Sequence, residues 1–290
     1  MLARSFGLFG DYIVKLDIVD YIGEVQIVTK ENNLDLFYRF LGGSPGNLGV
    51  LTHFKVEVHD DQKHKGSKGL WIAFLYNQVT LKALFDILVE KGQDPKFERN
   101  YDFGVNTVSR GINFIDYFPG PVAELKDKLP NDIFDADKNS IGPLHFKFAL
   151  IVVYAQWANF GNDVYSPFLS NRIKSTGVPL ITKESADGDP MSKIASMWLF
   201  KGDREYPYPY VKRTNTTKST TLGIDGWSLW FSGRINEIVS VVGNGLWVSS
   251  QLQVLGRPNS MLLRNADGST AYTMRDATIG GTWDAFCQDT

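Results

Sequence analysis

The chain has 290 residues, a formal net charge of −2, 43% hydrophobic residues and 21% charged residues. That composition is that of a soluble globular protein with apolar residues enough for a sizeable core, and the near-neutral charge removes any global electrostatic reason to bind nucleic acid. Cys287 is the one cysteine, which excludes an internal disulfide, and no apolar run reaches the roughly 18 residues that suggest a membrane span.

The N-terminus, MLARSFGLFGDYIVKLDIVDYIG, carries a single arginine, and Asp11 interrupts any signal-like apolar region. It reads as a leader into a strand at Tyr12–Val19, with no signal peptide, so a cytoplasmic location is expected. Glu24–Thr29 is a second predicted strand, and Asn33–Leu41 a short helix ending at Gly42–Gly43. The loop Gly42–Gly49, GGSPGNLG, lacks the Gly-Lys-Ser/Thr ending of a phosphate-binding P-loop. Leu51–His59 alternates, with Val56 and Val58 on one face and Lys55, Glu57 and His59 on the other. A polar stretch and the bulky Leu70–Tyr76 follow, which predicts a hairpin. His53, His59 and His64, with Asp60 and Asp61, are the nearest approach to a metal-ligand set. An exposed hairpin explains them more simply, so no metal and no other cofactor are expected.

Thr80–Glu90 reads either as a strand running into a helix or as a helix throughout. Val108–Phe118 and Val122–Leu129 are weakly helical. The most informative stretch is His145–Phe160, HFKFALIVVYAQWANF, apolar from Phe146 to Val153 except at Lys147. An element apolar all round belongs inside a core. Pro143 before it and Gly161–Asn162 after it fit helix ends, and length favours a buried helix over a buried strand. On that helix Gln156 and Asn159, three apart, share one face. Ser170–Ser196 is partly helical, Glu205–Thr221 is turn-rich, and Gly226–Val242 has helical spacing. Leu246–Leu255 is a strand, and Leu262–Tyr272 a hairpin through Asp267–Gly268. The order predicts an α+β fold, one domain over residues 1–290: an N-terminal mixed sheet, a central buried helix, a helical middle and a small C-terminal strand region.

Five segments carry a family likeness: Trp71–Tyr76 with Ala83-Leu84-Phe85, Asn100-Tyr101-Asp102, Phe148–Phe160, Trp227–Ile235, and Leu262–Cys287. Together they resemble the N-glycosidase domain of ribosome-inactivating proteins of the ricin A-chain type. No lectin half follows in this sequence. The resemblance implies release of one adenine from large-subunit ribosomal RNA, with the ribosome as partner. The base is held between two tyrosines and a tryptophan lines its pocket. A glutamate stabilises the positive ribose and an arginine protonates the leaving adenine.

Carried over, one tyrosine stays as Tyr101 and the other falls on Leu84, or on Lys82 without gaps. The tryptophan is matched by Trp227 with a one-residue insertion, with Trp230 as rival, while the glutamate falls on Gln156 and the arginine on Asn159. Losing the charge stabiliser or the acid costs on the order of two to four powers of ten in rate each. The expectation is therefore a ribosome-inactivating fold with weak or lost activity. The alternative is a non-enzymatic protein that uses the same cleft for RNA, an adenine compound such as AMP, or a protein partner. Gln156 and Asn159 would then bond a base edge, or merely satisfy backbone groups.

Overall fold

The computed structural model describes residues 2–43, 45–109, 149–161, 164–197, 210–218, 221, 226–241, 246–256, 259–266 and 268–287. The weakly helical Val108–Phe118 and Val122–Leu129 lie almost wholly outside them, as do Phe148, Tyr206 and Tyr208.

Two antiparallel sheets organise the chain. The smaller joins β1 (Ile13–Val19) to β2 (Val25–Thr29) and β3 (Val50–Val56), in the order β2-β1-β3. Its core sets Leu16, Ile18 and Val28 against Phe37 and Phe40 of a helix at Leu34–Phe40. The glycine loop after that helix is shaped by close backbone approach. At Gly42 φ is 116°, and a Cβ would lie 2.6 Å from the Tyr272 nitrogen. At Gly49 φ is 135°, and a Cβ would lie 2.6 Å from the Val19 carbonyl. Only glycine tolerates either place.

The larger sheet contains β4 (Lys68–Leu75), β5 (Tyr101–Val108), β6 (Leu150–Trp157), β7 (Ile181–Glu184), β8 (Tyr210–Thr217), β9 (Leu246–Val254) and β10 (Ile279–Cys287). Their order is β7-β4-β6-β5-β9-β10-β8, and every pair is antiparallel. One face is covered by helices at Gln78–Gln93 and Trp227–Val241. Leu81, Leu84, Phe85 and Leu88 of the first, and Phe231 and Ile235 of the second, share a core with Ile72, Phe74, Phe103, Val105, Ile151, Val153 and Leu252. The first helix starts where Asn77 accepts hydrogen bonds from the Val79 and Thr80 N–H groups at 2.9 and 3.2 Å.

The architecture is α+β, and several sequence expectations need correction. Residues 150–157 form not a central buried helix but β6, buried at every position in the middle of the larger sheet. A strand buried on both faces reads as an unbroken apolar run, and Ile151-Val152-Val153 is β-branched, which suits a pleated surface. The N-terminal sheet is antiparallel rather than mixed. β3 and β4 make no hairpin: β3 is half-exposed and pairs with β1, whereas β4 pairs with β6 and β7. The C-terminal strands are not a small separate region but three of the seven strands of the larger sheet. Within the turn-rich stretch, Tyr210–Thr217 is the edge strand β8. The Leu262–Tyr272 hairpin is replaced by a one-turn helix at Met261–Arg264, capped by Ser260.

Candidate functional site

Period-two alternation gives the larger sheet two chemically opposite faces. Tyr101, Phe103 and Val105 of β5, with Ile151, Val153, Ala155 and Trp157 of β6, point to the helix-covered core. The other face carries Asp102, Gly104 and Asn106 of β5, Tyr154 and Gln156 of β6, Trp71 of β4, and Gln251 and Gln253 of β9. Register sets them in rows. Asp102 lies opposite Gln156, Gly104 lies between Tyr154 and Gln253, Trp71 is beyond Tyr154, and Asn106 lies opposite Gln251. Trp71, Tyr154, Asp102, Asn106, Gln156 and Gln253 are all buried.

At one end of this face the N-terminal segment is clamped. Asp102 accepts the Arg4 N–H at 3.0 Å, the Ser5 N–H at 3.2 Å and the Ser5 hydroxyl. The Arg4 guanidinium donates to the carbonyls of Tyr101, Phe97, Glu98 and Gly256. Burial pulls the Arg4 pKa down to about 10, with Asp102 and Asp94 opposing. Complete burial pushes the Asp102 carboxyl up, against the Ser5 and Arg4 hydrogen bonds. This is a structural knot with its donors and acceptors matched.

The middle of the face differs. The Trp71 and Tyr154 rings meet edge to face, centroids 6.2 Å apart, and the Lys183 ammonium is 5.9 Å from the Trp71 ring. Asn106 donates to the Val152 carbonyl at 3.2 Å. Gln156 is 3% exposed, yet among the described residues neither its amide oxygen nor its amide nitrogen has a partner. A buried amide left unmatched costs about 1–3 kcal/mol, so its retention points to a role outside the fold.

A cleft of about 330 Å³ lies at the ends of β4 and β6, bounded by β7 and the helix at Phe168–Lys174. Of the residues singled out from sequence, Tyr101 and Gln156 line this cleft, while Leu84, Asn159 and Trp227 do not. Gln156 belongs by alternation to the opposite face and reaches the cleft where β6 ends. Tyr101 stacks on Phe97 at 5.6 Å and donates to the Ser166 carbonyl at 2.9 Å, and burial raises its hydroxyl pKa to about 12. Leu84 is fully buried in the helix-covered core. Trp227 begins the last long helix and stacks on Phe231, centroids 4.7 Å apart. Asn159 follows β6 and serves the backbone: its amide donates to the Lys65 carbonyl at 2.8 Å and accepts the Gly161 N–H at 3.0 Å. A strand points 156 one way and leaves 159 beyond its end, so the expected one-face pair dissolves with the helix.

The histidines serve packing. His59 and His64 lie 6.0 Å apart, centroid to centroid, among Phe6, Tyr12 and Phe160, and His64 Nδ1 sits 2.8 Å from the Asn159 carbonyl. Among the described residues no group of three or more His, Cys, Asp or Glu is placed to hold a metal ion. Sequence reasoning missed Trp71, Tyr154, Asn106, Gln251 and Gln253. The legible signal was polar alternation inside apolar strands, as in Gln251-Leu252-Gln253-Val254.

No protein-family model matches the chain. It is 26% identical over 120 residues to an FAD-linked oxidoreductase of Dictyostelium discoideum, covering 41% of this chain and 25% of that protein. It is 24% identical over 222 residues to a VAO-type flavoprotein oxidase of Thermothelomyces thermophilus, covering 71% of this chain and 36% of that one. Among solved structures it is similar to the xylooligosaccharide oxidase of Myceliophthora thermophila in complex with xylobiose. The TM-score is 0.61 at 14% identity, over 99% of this chain and 52% of the oxidase. The chain thus spans about half the length of that structure, and less of the two sequence relatives.

These findings overturn the ribosome-inactivating resemblance. The similar proteins are FAD-linked oxidoreductases, and the whole described topology is shared with a carbohydrate oxidase. The N-glycosidase activity, weak or lost, falls with that resemblance. So do the ribosome, its RNA and adenine or AMP as partners, the toxin character, and the non-enzymatic variant of the same cleft. The short motifs that suggested the family sit in different secondary structure: its central helix is matched here by a strand.

Proposed function

We propose that the polar face of the seven-stranded sheet is the substrate-side wall of an FAD-linked oxidoreductase acting on a hydroxyl of a carbohydrate. The observation that carries the reading is the buried row of Trp71, Tyr154, Gly104 and Gln253, flanked by Asn106, Gln251 and the unmatched amide of Gln156. The names of the similar proteins and the shared fold support it.

The face carries groups of the kind a flavin needs. Gly104 sets no side chain between Tyr154 and Gln253 in the row, and a glycine in a strand suits close approach of another group. Primary amides both donate and accept, as flavin carbonyls and ring nitrogens require. Gln156, buried and unmatched, is the group we assign to hold it, with Asn106 and Gln253 beside it. When bound, the flavin supplies the two-electron acceptor for an alcohol carbon. The chain's own contribution is binding and orientation. In this reading the half-buried Gln251 holds a sugar hydroxyl, and Trp71 and Tyr154 form the wall behind it. The buried setting excludes water and strengthens each hydrogen bond.

The test is flavin uptake and turnover. FAD should bind with quenching of its fluorescence and a raised melting temperature, and oligosaccharides should be oxidised with loss of dioxygen. Gln156→Leu should weaken FAD binding about tenfold, the loss of one good hydrogen bond to a buried partner. Unchanged FAD affinity in that variant, or no oxidation across xylo- and gluco-oligosaccharides, defeats the reading.

A further inference from the structure

The cleft at the ends of β4 and β6 belongs mainly to the helix-covered side of the sheet, and of its lining the function just proposed uses only Gln156. Its floor is Leu70, Ala155, Trp157 and Tyr101, and its walls bring Tyr165, Ser170, Asn171 and Ser185. Tyr165 packs on Trp157, centroids 5.4 Å apart, and its hydroxyl lies 3.0 Å from that of Ser170. Trp157 is 2% exposed, and its indole N–H has no acceptor among the described residues. The rim carries four charges in two ion pairs, Lys68 with Asp187 and Lys174 with Glu184.

The chemistry of this lining is specific. The rim charges cancel within their pairs, so an anion or a cation gains no net field and must compete with an existing partner. A ligand with one apolar side suits the aromatic floor. Ring hydroxyls, each a donor and an acceptor, suit an array of hydroxyl, amide, ammonium and carboxylate groups. The volume lies at the lower end of small-molecule sites. We propose that this cleft is a second, non-catalytic binding site for one neutral pyranose unit, with the sugar's C–H face on the half-buried Tyr165 ring that packs on Trp157 and its hydroxyls on Ser170, Asn171 and the paired rim charges. It rests on the cleft lining alone and stands or falls apart from the flavin reading.

The experiment follows the indole N–H resonance of Trp157, identified as the signal lost in Trp157→Phe, in the full chain during titration with methyl xyloside, xylobiose and glucose. Inorganic phosphate and AMP serve as controls. A saturable shift with the sugars and none with the controls is expected. Tyr165→Ala should weaken the apparent affinity about tenfold or more, equivalent to about 1.4 kcal/mol. Asn171→Ala, at an exposed position, should weaken it severalfold with an unchanged melting temperature. Gln253→Ala, on the opposite face, should leave the Trp157 titration as it is. Absence of a sugar shift, an equal shift with phosphate or AMP, or wild-type affinity in both Tyr165→Ala and Asn171→Ala overturns the proposal.

Discussion

The two faces of the seven-stranded sheet share one backbone and have opposite economies. The helix-covered face is a continuous apolar cluster from Ile72 through Val153 and Phe103 to Leu252. The other face buries Asp102, Asn106, Gln156 and Gln253 among Trp71 and Tyr154. The first is explained by folding alone, since burial of such side chains stabilises by roughly 1.5–3 kcal/mol each. The second is not: Gln156 has no partner among the described residues. The difference teaches that burial alone accounts for one face of the sheet and leaves Gln156 on the other unaccounted for.

Substitutions can break or sharpen that division. Phe103→Ala, at the centre of the apolar face and fully buried, should cost about 3–5 kcal/mol in urea unfolding. Asp102→Ala should cost nearly as much, about 3–4 kcal/mol, because three donors of Arg4 and Ser5 lose one acceptor. An inert Asp102→Ala would mean that the N-terminal segment is not clamped as described. Gln156→Leu should do the reverse and stabilise by about 1 kcal/mol, since it removes a buried amide that nothing satisfies. A loss of stability there would show that Gln156 serves the fold, and the asymmetry between the faces would vanish.

The smallest expected effect concerns pH. Burial holds the Tyr101 hydroxyl up at about 12 in the folded chain. Its contribution is therefore intact below the unfolded value of about 10 and is lost as pH rises toward 12. Ultraviolet titration should show tyrosines that resist ionisation until that range, Tyr101 and the similarly raised Tyr76 among them, and Tyr101→Phe should remove one of them. Early ionisation of every tyrosine would place Tyr101 outside the core.

Much of the fold could be read from local pattern where one physical signal dominated. Gly226–Val242 shows helical spacing and forms Trp227–Val241, and Leu246–Leu255 alternates and forms β9. The central element was misread because burial on both faces erases alternation, leaving length and branching to decide, and length was given the greater weight. Length was ambiguous over residues 150–157, whereas Ile151-Val152-Val153 was not. The candidate site was hidden for a different reason. Its residues come from four strands spread between Trp71 and Gln253, and no local window holds two rows of a sheet. Tyr101 and Gln156 were singled out by the overturned resemblance, and they share a cleft because β5 begins and β6 ends there.

The buried ion pair of Asp11 and Arg275, which ties the segment before β1 to the one before β10, has a consequence for synthesis. Asp11 is held by Arg275 across 264 positions, at 2.9 Å and by a second hydrogen bond of 2.5 Å. Likewise β5 pairs with both β6 and β9. On a ribosome adding roughly 5–20 residues per second, Asp11 waits on the order of ten seconds to a minute for its arginine. Once β6 has emerged it can pair with β5, but β5 presents an open edge toward the place β9 will take, and unpaired edges recruit other chains. Nascent protein should therefore be most prone to misassociation just before β9 and β10 emerge, and slowing translation over residues 246–287 should lower the yield of folded chain more than slowing it over residues 13–56.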